Sequence, residues 1–188
     1  VSDQTSGIAS CNWSKQSGPG RVSFYTQTAL NTTIEVNGDG AYTIRLTVFD
    51  NAGNWAFDEF TLIWDTTGPV VDAGPDISAN MKFTRNATAT DPTSPIAAYE
   101  WTQESGPGTI AFGTPAAEDT TIMADTVGNY TLRLNVTDYL GNWAWDEFTL
   151  TWDMTAPATS INFGAPIFFD GTNNIAFMNW TTQINFTT

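Results

Sequence analysis

Shifted by 88 positions, residues 13–69 lie on 101–157 without a gap, and more than half of the paired positions are identical. A chain that repeats itself this closely folds as two copies of one module, because both copies carry the same pattern of buried and exposed side chains. Trp13, Ser17, Gly18, Pro19 and Gly20 fall on Trp101, Ser105, Gly106, Pro107 and Gly108, and the block DEFTL at 58–62 recurs at 146–150. Within each copy the apolar residues alternate with period two. Tyr42, Ile44, Leu46 and Val48 share one face of a strand, and after a Gly53-Asn54 turn Phe60, Leu62 and Trp64 share a face of the next. Thr61 and Asp65 then point outward, as do Trp55 and Phe57, and in the second copy Trp143 and Trp145. No stretch keeps the i, i+3, i+4, i+7 spacing of a helix.

These residues resemble the PKD-type immunoglobulin-like modules of surface proteins: a Trp followed by SGPG, a Gly-x-Tyr, a strand ending in Asp, a Gly-Asn turn and a closing strand. The resemblance covers most of the chain. It implies an all-β fold of tandem immunoglobulin-like (PKD-like) Greek-key β-sandwiches, with Trp13 and Trp101 in the cores and Tyr42 and Tyr130 at strand corners. Residues 70–157 form a full second module, with an entry strand near 70–76 and a further strand near 81–90. Residues 1–69 form a first module that lacks those opening strands, since Val1 already matches Ala89.

Residues 158–188 have no module of their own. Within 175–188, Ala176, Met178, Trp180, Ile184 and Phe186 alternate with Asn179, Gln183 and Asn185 in a strand pattern, and Phe186-Thr187 resembles Phe83-Thr84 of the second copy. Two readings stay open. In one, this segment is a donor strand for the first module of the next subunit, giving a head-to-tail homopolymer whose arrangement resembles donor-strand pili and threads, some archaeal. In the other, the chain is a fragment of a larger multi-module surface protein: an adhesin, an S-layer-like protein or a carbohydrate-binding spacer. Trp180, Ile184 and Phe186, with the outward Trp55, Trp143 and Trp145, are the expected subunit contacts. Surface glycans are an alternative partner for the outward aromatics, and a bulge turning them inward a second alternative.

The net charge of −14, with six scattered basic residues, speaks against a nucleic-acid partner, which needs clustered Lys and Arg. Charged residues make up 14% of the chain against a usual share of roughly 25%. Asn12, Asn31, Asn86, Asn129, Asn135, Asn179 and Asn185 stand in N-glycosylation triplets, which points to an extracellular, cell-surface glycoprotein. The lone Cys11 reads as a small buried hydrophobe. No apolar run reaches the length of a membrane span.

Catalysis is not expected. The chain has no His, and the adjacent acids Asp58-Glu59 and Asp146-Glu147 point to opposite faces of a strand. Calcium is the expected ion if there is one: Asp3 and Asp91 begin equivalent loops, Asp50 and Asp138 end equivalent strands, and Asp65 and Asp72 bracket the intermodule linker. The competing reading is that these carboxylates cap turns through their own backbone.

Overall fold

The computed structural model describes the backbone of residues 2–163, 167–170, 175–178 and 184–187, and the side chains of residues 2–159. Its ordered elements are all β-strands. Contacts divide the chain into Val1–Asp153 and Met154–Thr188.

The second module shows what the repeat encodes when it is complete. Strand β10 (Ile96–Ser105) pairs with β13 (Gly128–Asp138), which pairs with β14 (Trp143–Trp152), and β7 (Ile77–Ala79) runs parallel to β14 at the sheet edge. A second sheet orders β11 (Ile110–Phe112), β12 (Thr120–Ala124) and β8 (Phe83–Arg85), and β6 (Val70–Asp72) pairs with β9 (Thr88–Thr90). The two opening strands expected near 70–76 and 81–90 are therefore four short ones. Gly74, at φ 83°, and Pro75, which has no N–H to give a ladder, break the first of them.

Alternation along β13 buries Tyr130, Leu132, Leu134 and Val136, and β14 answers with Phe148, Leu150 and Trp152. Trp101 enters the same core and donates its indole N–H to the carbonyls of Ala117 and Glu118 at 3.1 and 3.2 Å. The SGPG motif has a steric cause. Gly106 runs at φ 148°, and a Cβ there would sit 2.1 Å from Cδ1 of Tyr130, so the ring packs directly on backbone. The Tyr130 hydroxyl then donates to the Thr126 carbonyl at 2.6 Å, closing the strand corner.

The first module repeats this scaffold with β1 (Ile8–Ser17), β2 (Val22–Phe24), β3 (Ile34–Val36), β4 (Gly40–Asp50) and β5 (Trp55–Trp64). Sheet order β1-β4-β5 matches β10-β13-β14, and the register breaks after Ile8 and Lys15 fall where those after Ile96 and Gln103 do. The Tyr42 hydroxyl donates to Gly38 O at 2.5 Å and accepts from Gly20 N at 2.9 Å. Cys11 is buried, with its thiol on the Thr28 carbonyl at 3.2 Å.

In Met154–Thr188 the backbone forms antiparallel pairs: β15 (Ser160–Phe163) with β18 (Ile184–Thr187), and β16 (Ile167–Asp170) with β17 (Ile175–Met178). The single alternating strand expected over 175–188 is thus two strands with different partners. Asn179 and Trp180 lie outside the described residues, and Asn185, Ile184 and Phe186 are described by backbone alone.

Candidate functional site

Two features of the first module set it apart: an uncovered core face, and an acidic junction with the second module.

The face is defined by comparing repeat mates. Phe148 is 2% exposed and Phe60 is 44% exposed, although both meet a core Trp edge-on, Phe148 with Trp101 at 6.3 Å and Phe60 with Trp13 at 6.4 Å. Leu150, Trp152, Leu134 and Val136 are buried, while Leu62, Trp64, Leu46 and Val48 are half-buried. The cause lies in strands β6 to β9. Arg85 of β8 lays its guanidinium 3.9 Å from the centre of the Phe148 ring, Ala73 donates its N–H to Asp146 at 2.9 Å, and β7 pairs with Leu150, Thr151 and Trp152. Among the described residues nothing equivalent lies on Phe60 or pairs with the outer edge of Leu62, Ile63 and Trp64.

The outward aromatics stand where parity placed them. Trp55, Phe57, Trp143 and Trp145 are exposed on the face away from the cores, and the unbroken registers of β4–β5 and β13–β14 leave no bulge to turn them in. Trp55 stacks on Phe57 at 6.1 Å and Arg45 covers Phe57 at 4.1 Å, while Arg133 covers Trp145 at 4.5 Å. Each arginine is also held by a glutamate across the strand, Arg45 by Glu59 and Arg133 by Glu147.

The six aspartates separate into three groups. Asp65, Asp91 and Asp138 come together, each offering a carboxylate oxygen within 4.8 Å of the others. Asp3 and Asp50 form a pair in the first module, where Asp3 accepts from Thr5 N and Asp50 from Ala52 N and Asn54 N. Asp72 belongs to neither group and accepts from Gly74 N at 2.7 Å. Turn capping and clustering are therefore both present in the same residues.

Asp65 corrects an expectation: it is 9% exposed and does not point into solvent. The chain leaves β5 just before it and crosses to the second module, where Asn142 Nδ2 donates to the Asp65 carbonyl at 3.2 Å. Gly68 then passes so close to the Trp143 backbone that a Cβ there would lie 2.6 Å from the Trp143 carbonyl oxygen. Burial, with Asp91 and Asp138 nearby, raises the pKa of Asp65 from its ordinary value. Burial acts in the same direction on Asp138, but hydrogen bonds from Asn142 and Leu140 outweigh it and hold that carboxyl below the usual range. These three are among the six aspartates the sequence offers as calcium ligands; which of the six meet is not marked by any local signal, because the cluster is assembled by the docking of one module on the other.

Of the glycosylation triplets, Asn31, Asn86 and Asn129 are exposed, and Asn12 and Asn135 are partly so. Among the described residues no helix is long and apolar enough to cross a membrane.

A family model described as K319L-like, PKD domain matches residues 1–63 and 73–151, one segment in each module. The mouse dyslexia-associated protein KIAA0319-like protein is 28% identical over 141 residues, which take in 70% of this chain and 13% of the mouse protein. The chain therefore spans a small fraction of that curated relative. Among solved structures, the PKD domain from KIAA 1837 protein is similar at a TM-score of 0.41 and 21% identity, covering 50% of this chain and 96% of that one. The fibronectin(III)-like modules of Clostridium thermocellum CbhA are similar at a TM-score of 0.37 and 12% identity, covering 81% of this chain and 82% of theirs. With a match on each of its two repeats, the chain belongs to the K319L-like PKD domain family.

Proposed function

We propose that this chain is a non-enzymatic structural subunit of an extracellular filament, in which residues 158–188 of one copy add strands to the open face of the first module of the next. The observation that carries the reading is the contrast between Phe60 and Phe148, identical residues at repeat-mate positions with 44% and 2% exposure. Covering Phe60, Leu62 and Trp64 would contribute roughly 1.5–3 kcal/mol for each side chain fully buried. Among the described residues no strand pairs with the outer edge of β5, which leaves its backbone groups open to an incoming strand. The 158–188 segment has reason to seek such a place, because its described strands make only two-stranded pairings, which are marginal in water without a sheet or core to join.

The test is truncation. A chain ending at Pro157 is expected to sediment as a monomer and to give no filaments by negative-stain electron microscopy, whereas the full chain polymerises. Filaments formed by the truncated chain would overturn the reading.

A second reading is supported by the 13% coverage of the mouse relative: the two modules are part of a longer surface protein whose other segments cover Phe60. A natural chain continuing before Val1 with strands equivalent to β6–β9 would establish it.

In either setting the exposed triplets belong to a glycosylated surface. Glycopeptide mass mapping of native material is expected to find N-linked sugar on Asn31, Asn86 and Asn129, and bare asparagine at all three would remove this part of the proposal.

A further inference from the structure

The acidic junction holds two oxygens that no described residue satisfies. In each of its three carboxylates Oδ1 is fastened by loop amides: Asp65 by Thr67 at 3.1 Å, Asp91 by Thr93 and Ser94 at 2.8 and 2.9 Å, and Asp138 by Leu140 and Asn142 at 2.8 and 2.9 Å. Asp138 Oδ2 accepts from Asn142 Nδ2 at 2.9 Å. Asp65 Oδ2 and Asp91 Oδ2, in contrast, are shut away from solvent with no hydrogen-bond donor among the described residues, and the side chain within hydrogen-bonding reach of the Asp65 carboxyl is a second acid, Asp138. Asp65 and Asp138 are 9% and 2% exposed, so water screens their repulsion poorly. A buried carboxylate oxygen without a donor is costly, and here the two carboxylates holding such oxygens cluster with a third, an oxygen of each within 4.8 Å of the others. The ion pairs among the described residues all run between Arg45 or Arg133 and glutamates, so no arginine or lysine neutralises the group.

We propose that Asp65, Asp91 and Asp138 form a calcium-type divalent-cation site that clamps the end of the first module onto the second. Its donors are hard oxygens, and the chain has no His and a single Cys, which lies in the first module; that donor set suits calcium and not zinc or copper. The irregular placing of carboxylates from a linker, a loop and a strand end suits the flexible coordination of calcium better than the strict octahedron of magnesium, with water completing the shell. Because Asp65 comes from one module and Asp91 and Asp138 from the other, binding fixes their relative orientation. This inference does not depend on filament formation.

The experiment titrates CaCl2 alone into the EDTA-treated full chain by isothermal calorimetry, up to roughly 10 mM to cover the affinity range of extracellular calcium modules. One binding event is expected in the native sequence, weakened at least about tenfold in Asp65→Asn as one ligand charge is lost. Asparagine keeps the bond from Thr67, so the fold is retained. Asp3→Asn, altering the carboxylate that repeats Asp91 in the first module, is expected to bind as the native chain does. Thermal melts give a second, independent reading: in EDTA Asp65→Asn melts above the native chain, since repulsion is relieved, and in calcium the order reverses. The proposal is overturned if the native chain neither binds nor gains melting temperature, if Asp65→Asn binds equally well, or if Asp65→Asn melts below the native chain in EDTA.

Discussion

Phe148→Ala is expected to lower the unfolding free energy by about 3–5 kcal/mol, and Phe60→Ala by less than about 1 kcal/mol in the monomer. The two residues occupy the same place in the repeat and meet the same kind of neighbour, a Trp edge on the inner face of the first sheet. They differ in what lies above them. Phe148 lies under Arg85 in one buried core, so its removal leaves a cavity that rigid strands cannot collapse. Phe60 is open to water over 44% of its surface, and its removal loses part of one contact and creates no enclosed void. Urea denaturation of both variants at a protein concentration where the chain is monomeric reads the difference. Equal penalties would show that Phe60 is covered in solution and would place the missing strands within the chain itself. Under conditions of assembly the Phe60 penalty is expected to rise toward that of Phe148, which ties a stability measurement to the proposed joint.

Much of this is legible in the amino-acid sequence. The 88-residue repeat, the period-two alternation in β4, β5, β13 and β14, and the Gly-Asn turns fixed the modules and the inward faces, because each is a local consequence of strand geometry. The same parity placed Trp55, Phe57, Trp143 and Trp145 outside. What could not be read depended on contacts between distant segments. Parity put Asp65 in solvent, but the strand ends at Trp64, and the linker carries Asp65 against Asp91 and Asp138 of the other module. Asp72, seven residues on, is equivalent to it in the sequence and caps a turn as the others do, at Gly74, but stands apart from the three that meet. Arg85 gave no warning either. One arginine in a short strand reads as a solvent-facing residue until the opposite sheet is known, yet it is 6% exposed and part of the core's lid.

That buried arginine carries the other large effect. Arg85→Met is expected to destabilise the second module by about 3 kcal/mol, a loss that thermal or urea unfolding will register. Methionine fills similar space but cannot donate to Ala73 O, which Nε reaches at 2.5 Å, or to Pro75 O, which Nη2 reaches at 2.6 Å. Both carbonyls belong to the bend between β6 and β7, so the change frees the strands that cover the core. Burial lowers the pKa of the guanidinium, while Asp72, Asp146 and Asp76 oppose that shift; arginine remains charged, and the variant leaves those carboxylates without their cation. If the ring contact at 3.9 Å adds its share, the double variant Arg85→Met with Phe148→Ala will lose less than the two single variants together, with a coupling of about 0.5–2 kcal/mol. Strict additivity would mean that Arg85 acts through the backbone carbonyls alone. Residues 158–188 contain no Lys or Arg, so a tail laid over Phe60 must close the first module without this device. Its hold on the joint would then rest on apolar burial and strand pairing, which added salt does not weaken by screening, and filaments are expected to survive salt concentrations that loosen an ion-paired interface.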